Sequence, residues 1–132
     1  MRFFKLIFVF FAMLVIATGC STEAGDDYCF QQLYTGIDTV TGPETTTVNE
    51  PIQLEATFKI VNTCGSFMRF NTTPGYPKKI LAVVNYVGCS CAETLQNVTR
   101  PYTFEASQPG EYELRFIKPD ETYIVKTITV TE

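Results

Sequence analysis

The chain has 132 residues, 10 of them basic and 14 acidic, with no histidine and no tryptophan. That length suits one domain. No basic cluster exists beyond Lys78-Lys79, which argues against a nucleic-acid partner and against charge-driven attachment to anionic membranes. Without histidine, Ser–His and Cys–His nucleophile pairs and the usual zinc ligation are excluded.

The N-terminus reads as a leader. Met1-Arg2-Phe3-Phe4-Lys5 carries two cations, and Leu6 to Ala17 is an unbroken apolar run of twelve residues. A helix rises ~1.5 Å per residue, so this run falls short of a hydrocarbon core ~30 Å thick. The order of charged, apolar and small residues predicts a signal-peptide helix over 1–19, removed on export. Ala17-Thr18-Gly19-Cys20 resembles the lipobox of bacterial lipoproteins, although that family prefers Leu where Ala17 stands. The resemblance implies that Cys20 becomes the first mature residue and carries lipid, which makes the membrane a partner. Ser21 stands where an Asp commonly retains such proteins in the inner membrane, so the resemblance implies the outer membrane. An ordinary secretory signal with an incidental cysteine is the alternative. Loss of Arg2 and Lys5 leaves a charge of −6. Residues 20–42 are expected to form a lipidated tether and first strand region. Its Glu23, Asp26 and Asp27 resemble the acidic surface-export tags of some lineages, or serve as a solvated linker.

Residues 43–132 carry turn signals about every ten residues, the rhythm of an all-β sandwich or barrel. Ile52, Leu54, Ala56, Phe58 and Ile60 alternate with Gln53, Glu55 and Lys59, as a half-buried strand does. Phe67-Met68-Arg69-Phe70 and Ile80 to Val84 break that rule, being apolar on both parities. A turn at Pro74-Gly75 pairs these two segments. One parity, with Met68, Phe70, Leu81 and Val83, is expected to face the core. The other places Phe67, Ile80, Ala82 and Val84 on the outer face, as a candidate interface for an envelope protein. Alternatively Cys29 to Tyr34 packs over that face from within the chain. No long helical pattern follows the leader; at most a short turn covers Ala92 to Gln96, and Asn97 to Pro101 is a turn signal. Tyr102 and Phe104 fall in a short strand, and Tyr112, Leu114 and Phe116 alternate with Glu111, Glu113 and Arg115. Tyr123 and Val125 take one parity and Ile128 and Val130 the other, which predicts a β-bulge near Lys126.

Tyr102 to Ala106 followed by Pro109-Gly110-Glu111-Tyr112-Glu113-Leu114 resembles strands E and F of immunoglobulin-like domains. The resemblance implies a sandwich of about seven antiparallel strands, with the Tyr112 hydroxyl closing the corner between those strands. Leu114 stands where antibody domains place a cysteine, and no tryptophan fills the usual core position. The likeness implies a fold and not an activity.

Cys29, Cys64, Cys89 and Cys91 remain after Cys20, an even set that predicts two disulfides in an exported chain. The Pro74-Gly75 turn brings Cys64 toward Val87 to Cys89, so Cys64–Cys89 with Cys29–Cys91 is the favoured pairing. Cys89 and Cys91 as a thiol-exchange or soft-metal pair is the competing reading, without Cys-x-x-Cys spacing to support it. No Gly-x-Ser-x-Gly elbow or phosphate loop occurs. Glu111 and Glu113 read as solvation of one strand face, Asn71 and Asn97 as turn residues, and Asp38-Thr39-Val40 as plain strand. No catalytic residue, metal or cofactor is expected. The expected role is a lipid-anchored binding or adhesion module. A sugar- or protease-binding domain using exposed aromatics such as Tyr76 is the remaining alternative.

Overall fold

Alternation in 52–61 becomes an eleven-residue strand whose even-numbered side chains point inward: Leu54, Ala56 and Phe58 are fully buried and Ile60 nearly so. The computed structural model describes residues 28–132, so the leader, Cys20 and the acidic tether lie outside the described residues. Nine strands are present: β1 Phe30–Thr35, β2 Ile37–Thr41, β3 Thr45–Thr47, β4 Ile52–Asn62, β5 Gly65–Thr72, β6 Lys78–Val87, β7 Glu93–Phe104, β8 Gly110–Ile117 and β9 Tyr123–Thr131. The described residues contain no helix. The described residues are therefore all-β, with strands beginning inside the first strand region expected within 20–42.

The strands form two sheets. β2, β4 and β7 make one, antiparallel throughout. The other joins β1, β6, β8, β9 and β3, with β5 on the far edge of β6. Nine strands replace the expected seven or so, and two pairings are parallel, β3 with β9 and β6 with β8. β6 explains the second. Its start lies beside β8 at Lys78 to Ile80, and the rest of the same edge is taken by β1, opposite Ala82 to Val87.

The core lies between the sheets. β4 contributes the residues named above, β6 gives Ile80, Ala82, Val84 and Tyr86, and Leu114, Phe116, Ile128 and Val130 come from β8 and β9. Each fully buried Leu, Ile, Val or Phe contributes about 1.5–3 kcal/mol. Aromatic rings bind the two sheets at one level. Phe58 lies 5.4 Å from Phe67, Phe67 4.9 Å from Phe70, Phe70 5.6 Å from Tyr102, and Tyr102 5.5 Å from Phe116.

The expected parity of β5 and β6 is corrected. Ile80, Ala82 and Val84 are core residues and Phe67 packs against the core, so none of the four forms an outer interface. Leu81 takes the outward parity instead, and Val83, on the same parity, is nevertheless fully buried. The register shows why: Phe67 pairs with Val84 and Arg69 with Val83, so Met68 is an extra residue in β5. This bulge lets Phe67 and Phe70, of opposite sequence parity, both point inward. No bulge exists near Lys126, because β8 and β9 keep one register from Gly110–Val130 to Ile117–Tyr123. Ile124, Lys126, Ile128 and Val130 share the inward parity, and the Lys126 ammonium bonds Glu44 in the β2–β3 connection at 2.9 Å. The stretch allowed at most a short turn, from Glu93 to Gln96, and the turn signal at Asn97 to Pro101 are both strand, within β7. Pro101 is tolerated there because β7 is an edge strand, where a missing N–H breaks no ladder on its free side.

Candidate contact surface

The two outer faces differ in chemistry. On the three-stranded sheet, Gln53, Glu55, Thr57 and Lys59 lie opposite Thr103, Pro101, Thr99 and Asn97. The hydroxyls of Thr57 and Thr99 are 2.8 Å apart and Lys59 pairs with Asp38 at 3.6 Å. Water satisfies such a face.

The outer face of the six-stranded sheet is apolar and aromatic. β1 presents Phe30 and Tyr34, half exposed or more, opposite Val87 and Val83. β6 adds Leu81, β8 adds Ile117, and β9 adds exposed Tyr123 and Val125. Polar groups are held among these. Gln32 donates to the Asn85 side-chain oxygen at 2.8 Å, and Lys79 and Arg115 lie 5.9 and 5.7 Å from the Tyr123 ring centre. Tyr34 and Tyr123 flank a groove of about 470 Å³ lined by Leu81, Ile117, Lys118 and Pro119. Gly36 makes this groove possible. A Cβ there would sit 2.4 Å from the Pro119 nitrogen, so only glycine lets the β1–β2 link approach the β8–β9 turn. That turn is fixed by Asp120, which accepts from the Thr122 amide at 3.1 Å and hydroxyl at 2.6 Å. These hydrogen bonds hold the Asp120 carboxyl below its ordinary pKa.

At one end of the sandwich two disulfides link three segments. They are Cys29–Cys89 and Cys64–Cys91, which corrects the pairing favoured from sequence. Cys64 does reach Val87, whose amide donates to its carbonyl at 3.2 Å. Gly88, with φ of 131°, then redirects the chain, and its amide donates to the Cys29 carbonyl at 2.9 Å. Cys89 is thereby delivered to β1. Hydrogen bonds between Thr63 and Ala92 return Cys91 to Cys64. With both pairs oxidised, Cys89 and Cys91 hold neither a nucleophilic thiolate nor a metal-binding one in this state. Among the described residues no group of three or more His, Cys, Asp or Glu side chains is placed to hold a metal ion.

The remaining sequence candidates are dispersed. Tyr76 packs on Tyr112 at 4.8 Å, under the Lys78 ammonium at 5.0 Å. Burial raises its phenol pKa, as it does that of Tyr102. Glu113 is ion-paired with Arg115 on its own strand, and Glu111 is exposed beside it. Cys20 lies outside the described residues. That Tyr34 and Tyr123 line one groove was missed from sequence, since they lie on β1 and β9, whose places in the sheet no local motif announces.

Compared with known proteins, the chain matches no family model, no curated protein and no solved structure at a significant level.

Proposed function

We propose that this is a lipid-anchored envelope protein that works by binding and not by catalysis. Lipid on Cys20 holds it at the outer membrane, and the outer face of the six-stranded sheet is its contact surface. The single observation behind this reading is the asymmetry of the two faces. One is polar from Gln53 to Lys59, with Val61 and Leu95 exposed only at its disulfide-linked end, while the other exposes Phe30, Tyr34, Met68, Tyr123 and Val125. Exposed apolar side chains gathered on one face, here interspersed with Lys79, Arg115 and Glu113, commonly mark an interface. The body is read as immunoglobulin-like, with β7 and β8 as its strands E and F. The hydrogen bond from the Tyr112 hydroxyl to the Gln108 carbonyl supports that reading, being the corner contact of such domains. The parallel β6–β8 pairing departs from an antiparallel pattern.

A photo-crosslinking amino acid at Tyr34, and at Thr57 on the polar face, tests the proposal in intact envelopes. Crosslinks from position 34 and none from 57 are expected; equal labelling or equal silence overturns it. The Tyr34–Tyr123 groove favours a second reading, a sugar-binding module in which a pyranose stacks on tyrosine. Glycan-array binding lost in Tyr34→Ala separates the two.

A further inference from the structure

We infer that the disulfide-linked end of the sandwich is a membrane-facing tip that rests on the lipid surface. The inference depends on the lipid anchor at Cys20 proposed above, and it goes beyond the contact face. Three segments converge at this end, 28–33, 61–66 and 87–95, joined by the two disulfides and by the Cys64–Val87 and Cys29–Gly88 hydrogen bonds. Their only charged residue is Glu93. They expose Tyr28, Phe30, Val61, Val87 and Leu95, each 47–75 % accessible. Tyr28 stacks on Phe30 at 6.3 Å. Two adjoining hollows that share Asn62 and Cys91 connect the Tyr28 side to the Leu95 side, so these side chains surround one surface.

The position of the tether identifies what lies against it. The chain leaves the fold at Tyr28, within this tip. Nine residue steps separate Cys20 from Cys29, and even fully extended they reach at most about 30 Å. The Cys29–Cys89 bond fixes the end of that tether to the fold. Acyl chains on Cys20 therefore keep the tip beside the bilayer, at an effective concentration in the millimolar range. Weak affinity then suffices. Tyrosine and apolar side chains with few charges suit the headgroup boundary. The opposite end of the sandwich carries exposed Glu50, Glu105 and Glu111, besides Glu44, which is paired with Lys126. Tether length orients the body with the tip down and the opposite end outward, although the tether itself carries Asp26 and Asp27.

The absence of native tryptophan makes single reporters clean. Phe30→Trp, Leu95→Trp and, on the polar face toward the acidic end, Gln53→Trp are placed in the full acylated protein. Each is reconstituted in phosphatidylcholine vesicles with brominated acyl chains. Emission from positions 30 and 95 is expected to fall about twofold or more and shift to the blue, with position 53 unchanged. All three sites are exposed, so the variants fold. If mass spectrometry shows the acyl chains but positions 30 and 95 behave like 53, the tip inference fails and the anchor stands. If the mature chain carries no acyl group, the anchor fails and the inference with it. A position-95 reporter exposed on vesicles but shielded in native envelopes assigns the tip to a protein partner, which also overturns the inference.

Discussion

The Tyr112 hydroxyl donates to the Gln108 carbonyl oxygen at 2.8 Å, spanning the β7–β8 connection from the first turn of β8. The same ring packs on Phe104 at 5.6 Å and on Tyr76 at 4.8 Å. Phe keeps those ring contacts and deletes only the hydrogen bond. Tyr112→Phe should therefore cost about 1 kcal/mol in urea unfolding, without changing the slope. An unchanged midpoint would show that the corner contributes nothing.

The two disulfides should separate in their effects. Their sequence separations are 60 residues for Cys29–Cys89 and 27 for Cys64–Cys91. Chain entropy assigns them about 4 and about 3.5 kcal/mol. The location of the damage is more telling. β1 has no buried side chain, so backbone pairing with β6 and the Cys29–Cys89 bond hold it. C29S/C89S should speed amide exchange in β1 while β4 and β8 stay protected. Uniform loss of protection would refute this division.

Gly36→Ala should destabilise by about 3 kcal/mol, at the upper end for overpacking. The added Cβ would meet Pro119 N at 2.4 Å and Lys118 C at 2.7 Å, and backbone cannot swing aside as a flexible side chain can. Thermal unfolding reads the loss, and an unchanged midpoint would show that the β1–β2 link does not need glycine to approach Pro119.

Acid should weaken the fold through Glu44 and Asp120. Hydrogen bonding and the charge of Lys126 hold Glu44 below its ordinary pKa, and bonds from Thr122 do so for Asp120. A depressed folded pKa means that the unfolded chain binds protons first. The stabilisation is present above the ordinary carboxylate range and is lost as pH falls below about 4 through the folded values. Both groups are solvent-exposed, so the effect is small and screened by salt. Glu44→Gln should flatten the acid limb of a stability–pH curve; an unaltered limb excludes the Lys126 pairing as its source.

Legibility in the sequence followed local periodicity. β4 and β8 could be read because polar and apolar residues alternate along each. The parity of β6 could not be read from Ile80 to Val84, which are uniformly apolar. Lys79 and Asn85 on one parity and Tyr86 on the other carry that signal, over a longer window. β5 hid its bulge because Met68 is itself apolar. β7 was obscured by Pro101, which an edge strand accepts. The four disulfide cysteines were evident, but their pairing hangs on the Gly88 turn, where Cys64 lies within reach of both neighbours. The contact face depends on which strands become adjacent, and no local pattern records that.

Intact-mass analysis of the mature protein from its native envelope tests the anchored-module account most directly. The account predicts a chain that begins at Cys20 and carries the added mass of acyl groups. A chain that retains Met1, or one whose Cys20 bears no lipid, would contradict it.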